Sequence, residues 1–253
     1  MDICIVSKRD DYPELRKLRK AFNVVKSGEI CIALGGDGTF VHAAMKHDVP
    51  ILPIRVEENG SSGFYADFSS KYIDRVIREL KAGRYTVENA GNKLELVYKG
   101  RSYYAVNEIS MNHVREEVSF RVYERNGRRR RLYPFIVAGD GLVVAGAIGS
   151  TAYNRSALGP VILSNNVMCL TFLDVDGPYR NPLIVDSGST IEVEIAKYSC
   201  VLRYDGVDAG VLNSGDRFDV RTSDRKLRIV KMNFKRETLG NKLERIMRRR
   251  MKR

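Results

Sequence analysis

The spacing of apolar residues changes once along this chain, and that change restricts the folds it can adopt. Up to Gly83, short and fully apolar runs alternate with stretches of helical periodicity. Beyond Gly83, apolar residues recur with a period close to two. The first pattern is typical of a parallel α/β sheet, and the second is typical of an antiparallel β structure. The sequence therefore predicts two successive domains, which a length of 253 residues allows.

The first domain is predicted to span residues 1–85. Ile3 to Val6 and Ile30 to Leu34 are apolar at consecutive positions, as strands buried on both faces must be. Apolar residues at helical spacing lie between them, at Leu15, Leu18, Phe22 and Val25. This is one β-α-β unit, and a third strand at Val49 to Ile54 and a second helical stripe ending at Gly83 extend it.

The second domain is predicted to be β-rich and to span residues 86–235. Its short apolar runs are separated by Gly, Asn and Asp, and they include Leu94–Tyr98, Tyr103–Ser110, Ser119–Tyr123 and Ile191–Ile195. Residues 236–253 predict a basic C-terminal helix that packs back on the N-terminal domain, with Leu239, Leu243 and Ile246 on its apolar side.

The net charge of +12 is concentrated in two places. The segment from Gly240 to Arg253 supplies half of the excess, and Arg128 to Arg131 adds four further positive charges. We interpret these runs as a solvated helix end and a loop, with attraction of anionic nucleotides as a secondary possibility. A face that binds nucleic acid specifically is not expected, although clustered basic residues leave that alternative open.

No apolar run approaches the roughly 20 residues that span a bilayer, and the N-terminus lacks the basic start of a signal peptide. We expect a soluble, cytoplasmic protein without membrane contact. Cys4, Cys31, Cys169 and Cys200 each lie in a strand-like run, which favours reduced core residues. Because no zinc-ligand spacing occurs among the cysteines and histidines, no residue is predicted to hold a structural metal.

A glycine-rich turn, Gly35-Gly36-Asp37-Gly38, follows the second buried strand and precedes a helix-like stretch. The glycines let backbone N–H groups approach an anion, and the helix start favours negative charge. In this position Asp37 can deprotonate a hydroxyl or help to hold a metal, although a helix N-cap is the structural alternative. The turn fits neither the P-loop nor the dinucleotide fingerprint. It resembles the Gly-Gly-Asp-Gly signature of NAD kinases, phosphofructokinases and diacylglycerol and sphingosine kinases, which implies phosphoryl transfer to a hydroxyl.

A second motif selects among these families. Residues Gly139 to Ser156 read GDGLVVAGAIGSTAYNRS, and Asn107-Glu108 follows an apolar strand upstream of them. Together they resemble the Asp-Gly-Leu … Gly-Ser-Thr-Ala-Tyr motif and the Asn-Glu pair of NAD kinases. From the residues alone, Tyr153 could equally be a core aromatic and Ser150 a simple cap.

The resemblance to NAD kinases implies a role for each matching position. Asp37 would be the catalytic carboxylate, Gly38 would line the phosphate site, and Gly35, Gly36 and Thr39 would complete the phosphate-binding turn. Substrate contacts would come from His42, where many relatives carry Arg, and from Phe64, Asn107, Glu108, Asp140, Thr151, Ala152, Tyr153 and Ser156. Asn107, Glu108 and Asp140 would surround the ribose and nicotinamide portions of NAD, and the last four the adenine end. The segment before Phe64 departs from the family pattern, so that only Gly60, Gly63 and Phe64 correspond to it.

The resemblance also implies a fold and a reaction. A Rossmann-like α/β domain would precede a β-sandwich domain with NAD bound in the crevice, in a homodimer or homotetramer. The reaction would transfer the terminal phosphoryl group of ATP, or of polyphosphate, to the 2′-hydroxyl of the adenosine ribose of NAD. A divalent cation, Mg²⁺, would act through the ATP phosphates. The alternatives are a lipid or small-alcohol kinase that shares only the glycine-rich turn, and a non-catalytic protein that binds NAD or nucleic acid.

Overall fold

The structure, a computed structural model, describes residues 1–56, 64–175, 180–238, 240–242, 244 and 248. The chain divides into two compact units, one of Met1–Ala90 with Leu227–Arg253 and one of Gly91–Lys226. The sequence predicts domain boundaries after residues 85 and 235. The boundaries between the units differ from these because two long strands, Tyr85–Tyr98 and Arg217–Met232, each continue from one unit into the other.

The first unit is a parallel sheet with helices. Its elements in chain order are β1 (Asp2–Ser7), α1 (Pro13–Ala21), β2 (Asn23–Val24), β3 (Ile30–Gly35), α2 (Asp37–Lys46), β4 (Ile51–Arg55), a 3₁₀ turn (Ser70–Tyr72) and α3 (Ile73–Lys81). The strands lie in the order β2, β1, β3, β4, all parallel, and Ile229 of a later strand pairs in parallel with Ile51.

The two faces of this sheet are covered by different helices. Ile30, Ile32 and Leu34 of β3 pack in one apolar cluster with residues of α1 and α3. Because side chains alternate along a strand, Cys31 and Ala33 point to the opposite face. Helix α2 contacts β1, β3 and β4 and buries Phe40, Val41, Ala43 and Ala44. Burial on both faces explains why β3 is apolar throughout.

The second unit is built from antiparallel strands. Its elements are β5 (Tyr85–Tyr98), β6 (Arg101–Ala105), β7 (Glu108–His113), β8 (Val118–Asn126), β9 (Arg128–Arg131), β10 (Val137–Gly139), β11 (Gly141–Ala145), a 3₁₀ turn (Gly149–Thr151), α4 (Tyr153–Ser156), β12 (Val167–Leu173), β13 (Leu183–Asp186), β14 (Thr190–Lys197), β15 (Cys200–Tyr204), β16 (Val207–Leu212) and β17 (Arg217–Met232).

These strands form the two layers of a sandwich. One layer has the order β13, β12, β11, β7, β15, β16, and the other contains β10, β8, β14 and β17, with β9 beside β8. A single apolar cluster draws residues from both layers, among them Met111, Leu142 and Leu170 from the first and Phe120 and Val193 from the second. The shared core is what holds the layers face to face.

The two basic runs have different structures. Arg128–Arg131 forms strand β9 rather than the loop expected from the sequence, because it pairs with β8 through a tight turn at Gly127. Its Arg129 and Arg130 bind the carboxylates of Glu192 and Glu124. In the C-terminal run, residues 240–242, 244 and 248 are helical. Leu239, Leu243 and Ile246, the predicted apolar side of this helix, lie outside the described residues.

Within the part of the chain that the structure describes, no helix combines the length and the apolarity needed to cross a bilayer.

Candidate active site

Asp37 lies where a buried strand ends and a helix begins. Strand β3 ends at Gly35, Gly36 is the N-cap in an extended conformation, and Asp37 is the first residue of α2. Asp37 is therefore not the helix N-cap, which was the structural alternative. Its carboxylate instead lies at the carboxyl end of a parallel strand, where ligands of α/β sheets bind, and beside the positive end of a helix.

Phe64 and Tyr65 hold the Asp37 carboxylate in place. The backbone N–H of Tyr65 donates to Asp37 Oδ1 over 3.2 Å. The Tyr65 ring stacks on Phe40 of α2 with 4.1 Å between ring centroids, and Phe64 meets Tyr65 edge-on at 5.4 Å. Asp37 is thus oriented by an aromatic cluster that includes the predicted Phe64. The predicted Gly60 and Gly63 lie outside the described residues.

The glycine-rich turn combines one tight position with one open one. A Cβ on Gly35 would lie 2.3 Å from Thr39 Oγ1, so the turn closes only around glycine. A Cβ on Gly38 would meet no atom within 4 Å, so the first turn of α2 is open to a ligand. His42 is exposed, and at 3.6 residues per turn it lies about 140° around the helix from Asp37. Helix α2 does not place these two side chains on one face.

A buried charge cluster lies two residues beyond Tyr65. Asp67 is only 4% exposed; its Oδ2 accepts from Lys231 Nζ over 2.8 Å, and its Oδ1 lies 2.7 Å from Lys242 Nζ. Burial lowers the pKa of Lys242 against the opposing pull of Asp67. The cluster ties the segment that carries Phe64 and Tyr65 to β17 and to the C-terminal helical residues. No sequence motif indicated it, because the three residues are far apart along the chain.

In the second unit, the Asn107-Glu108 pair is fixed by Asp205. The Asp205 carboxylate accepts from the backbone N–H groups of Val106, Asn107 and Glu108, over 2.6, 2.7 and 3.2 Å. The backbone N–H of Asp205 donates back to the Glu108 carbonyl over 3.0 Å. Three amide donors to one carboxylate hold the start of β7 in a defined conformation. No role for Asp205 was predicted from the sequence.

The Glu108 carboxyl group is buried and only partly satisfied. It accepts from the Tyr153 backbone N–H, whereas its Oε2 has no hydrogen-bond partner among the described residues. Burial, and secondly the nearby charge of Asp205, raise the pKa of Glu108 to about 7. Since folding raises this pKa, the fold favours the neutral carboxyl. The corresponding stability is fully present below the ordinary pKa of 4.5 and is lost as the pH rises through about 7.

The second motif packs directly against the Asn107-Glu108 pair. A Cβ on Gly149 would lie 1.6 Å from the Asn107 carbonyl oxygen, so only glycine allows this contact. Ser150 is fully buried, and its hydroxyl accepts from the Ile162 N–H and donates to the Ala147 carbonyl. The structure therefore brings these two predicted segments together through backbone atoms. It also makes Ser150 the link between two loops.

A cavity of about 500 Å³ lies in the second unit, and Tyr153 of the second motif is part of its lining. Asp140, Tyr153 and Ser156 line it among the predicted residues, and Arg180 adds a positive charge. The lining does not include Asn107, Glu108, Thr151 or Ala152. The three predicted residues that line the cavity are all polar, and its volume is of the size that small-ligand pockets have.

Neighbouring strands orient the polar groups of the cavity. Asn112 Nδ2 donates to the Tyr153 hydroxyl over 3.1 Å, and His113 Nδ1 lies 2.9 Å from Asp140 Oδ1. Asn112 and His113 end strand β7, which also carries Glu108, so one strand supports both ends of this site. Sequence reasoning missed Asn112 and His113. The signal that could have indicated them is their position as the polar end of the strand that begins at Glu108.

The chain combines an α/β unit, in which a glycine-rich turn precedes an acidic helix start, with a β-sandwich unit, which is the arrangement expected of phosphotransferases with a Gly-Gly-Asp-Gly turn. Comparison with known proteins narrows the class. The family model described as the ATP-NAD kinase C-terminal domain matches residues 131–232. The NAD kinase of Nitrosococcus oceani is 31% identical over 215 residues, which cover 80% of this chain and 71% of that protein. The NAD kinase of Natranaerobius thermophilus is 30% identical over 214 residues, covering 81% and 73%. The chain belongs to the NAD kinase family.

Two solved structures share the fold. An NAD kinase from Archaeoglobus fulgidus in complex with ATP matches with a TM-score of 0.76 and 19% identity, over 98% of this chain and 99% of that chain. Yeast NADH kinase complexed with NADH matches with a TM-score of 0.78 and 19% identity, over 98% and 86%. The predicted fold class, an α/β domain with a β-sandwich domain, is confirmed.

Proposed function

We propose that this protein transfers the terminal phosphoryl group of ATP to the 2′-hydroxyl of the adenosine ribose of NAD. The observation that carries the proposal is the buried Glu108 carboxyl, which the family motif at Gly149 to Tyr153 holds in place and whose Oε2 lacks a protein partner. A buried acceptor of this kind costs free energy unless a ligand donates to it. A ribose hydroxyl is a donor of matching size and chemistry.

In this proposal the second unit binds NAD. Glu108 accepts a hydrogen bond from the ribose, and the amide of Asn107 stands next to it on the turn that Asp205 fixes. Asp140, Tyr153 and Ser156 present polar groups to a further portion of the dinucleotide in the adjoining cavity, while Thr151 and Ala152 belong to the same segment. Fixed polar groups of this kind select one hydroxyl among several, and orientation contributes up to about 7–11 kcal/mol of a barrier.

Asp37 is the proposed general base. As the bond forms between the 2′-oxygen and the terminal phosphorus, the bond from that phosphorus to the bridging oxygen of ADP breaks. The proton of the hydroxyl passes to the Asp37 carboxylate. The Tyr65 N–H and the aromatic contacts of Tyr65 keep this carboxylate oriented, and Gly35, Gly36, Gly38 and Thr39 form the turn that receives the phosphates. His42, exposed on α2, is a further proposed phosphate contact.

The residues at this turn fit Mg²⁺ that arrives with ATP. The residues on either side of the open Gly38 carry side-chain oxygens, the carboxylate of Asp37 and the hydroxyl of Thr39, and oxygen is the ligand type that Mg²⁺ prefers. Mg²⁺ held there would neutralise the charge that develops on the phosphates. The requirement for a divalent cation is tested by adding a chelator in excess, which should abolish turnover.

We further propose that the protein works as a homodimer or homotetramer in the cytoplasm. Support for assembly comes from the segment after Ser156, where Leu158 and Leu163 are 90% and 82% exposed. An exposed apolar patch is a feature of surfaces at which proteins associate. Sedimentation analysis should show an oligomer that a Leu158→Glu, Leu163→Glu double variant weakens, and cell fractionation should recover the protein in the soluble fraction.

The reaction is tested by incubating the protein with ATP, Mg²⁺ and NAD and detecting NADP with an NADP-specific dehydrogenase. Polyphosphate in place of ATP tests the second donor. NADP formation supports the proposal. Phosphorylation of a lipid or small alcohol without NADP would favour the first alternative, and NAD binding without turnover would favour a non-catalytic protein.

A further inference from the structure

Two buried cysteines and a histidine meet in the first unit, on the sheet face that α2 covers. Cys4 of β1 and Cys31 of β3 are register partners in neighbouring parallel strands. Both are buried, at 2% and 0% exposure. His47 is the C-cap of α2 and is half-buried. The two Sγ atoms and an imidazole nitrogen all lie within 4.8 Å of one another.

The spacing of these three atoms suits a thiophilic cation. In a tetrahedral site with metal–sulfur bonds of about 2.3 Å, neighbouring ligand atoms are about 3.8 Å apart. A contraction of at most about 1 Å, within reach of side-chain rotation, converts the observed cluster into such a site. Two cysteines and one histidine are also ligands that suit soft and borderline cations better than they suit Mg²⁺.

Burial affects the protonation of two side chains in the cluster. Burial, and secondly the contact with Cys4, raise the pKa of the Cys31 thiol. Burial lowers the pKa of His47, helped by the charge of Lys46, and this keeps a lone pair on the imidazole. The Cys4 thiol donates only a long bond, 3.7 Å, to the Ile30 carbonyl. A cation that binds here displaces thiol protons to solvent, and half-exposed His47 offers the path by which it enters.

We propose that Cys4, Cys31 and His47 form a binding site for a thiophilic divalent cation such as Zn²⁺, with the fourth position taken by water. The site joins β1, β3 and the end of α2, so its occupation stabilises the first unit. Asp37 begins the helix that His47 caps, and ten residues at about 1.5 Å each put the cation roughly 15 Å from the phosphate-binding end. It is therefore distinct from the Mg²⁺ that accompanies ATP.

The test is a titration of the full-length, reduced and metal-free protein with Zn²⁺, and in parallel with Co²⁺. We expect one ion per chain, a rise in the thermal midpoint, and a thiolate-to-cobalt charge-transfer absorption. His47→Asn, which changes a half-buried residue at a helix end, should weaken binding at least tenfold. Cys31→Ala should abolish the charge-transfer absorption or reduce it by half.

Matched controls come from the same chain. Cys169 and Cys200 are buried free cysteines of the second unit, and they are not part of this cluster. Cys169→Ala and Cys200→Ala should leave stoichiometry and affinity unchanged. The proposal is overturned if the parent protein binds no ion, or if binding persists unchanged in both His47→Asn and Cys31→Ala.

Discussion

Replacement of Gly149 by alanine tests whether the two motifs of the second unit act as one site. The added Cβ would lie 1.6 Å from the Asn107 carbonyl oxygen, 2.3 Å from its carbonyl carbon and 2.6 Å from its Cα. Contacts under 3.0 Å essentially never occur for a real Cβ, and these atoms are backbone. Either Asn107-Glu108 or the turn at Gly149 must move by more than about 1 Å.

The displacement has a predictable cost. Overpacking of this kind destabilises a fold by about 1–3 kcal/mol, and a misplacement of about 1 Å lowers catalysis by roughly 10²-fold. We therefore expect kcat/KM for NAD to fall at least about 100-fold while the KM for ATP changes little, because Asn107 and Glu108 contact NAD in this account. The assay is steady-state NADP formation at varied NAD, with unfolding in denaturant measured on the same samples.

Gly146→Ala is the matched control in the same loop. Its Cβ would meet only the Leu94 Cδ2 atom, at 4.0 Å. This variant should retain near-parental stability and kinetics. A Gly149→Ala enzyme whose NAD kinetics equal those of Gly146→Ala would refute the coupling between the motifs, because the clash is with the backbone of the proposed NAD-binding turn.

Two further predictions concern buried charges. Glu108→Gln should become more stable relative to the parent as the pH rises from 4.5 to about 8, because a pKa of about 7 makes ionisation of Glu108 costly in the folded protein. The difference in free energy of unfolding, measured in denaturant, should grow by roughly 3 kcal/mol. A difference that does not change with pH would show that the carboxyl is not desolvated. Asp67→Asn should lower the free energy of unfolding by about 3–5 kcal/mol, because it leaves Lys231 and Lys242 without their carboxylate partner. The control Glu88→Gln breaks an exposed ion pair with Arg236 and should cost less than about 1 kcal/mol. Equal losses in the two variants would contradict a buried Asp67 cluster.

Local sequence patterns predicted the elements that carry the chemistry. Consecutive apolar residues indicated β3, and the glycines indicated the turn before Asp37. In each case the determining physics acts within a few residues: burial on both faces, freedom of the backbone, and the start of a helix.

The remaining features depend on which distant segments pair. Asp205 reaches the amides of Val106 to Glu108 because β15 lies beside β7. Cys4 and Cys31 meet because β1 and β3 pair in one particular register. Arg128–Arg131 becomes a strand because β8 offers a partner edge. A one-residue change of register reverses which face a side chain occupies, so spacing in sequence alone did not identify these groups.

The most direct test of the account is NADP formation from ATP, Mg²⁺ and NAD by the parent protein and by Asp37→Asn. The carboxamide keeps the size of the side chain and can still accept the Tyr65 N–H, but it cannot take up the 2′-hydroxyl proton. The account predicts NADP formation by the parent and a loss of kcat of about 10²–10⁴-fold in the variant, with the unfolding midpoint and NAD affinity nearly unchanged. A parent that makes no NADP, or a variant that keeps more than a few tenths of the parental kcat, would contradict it.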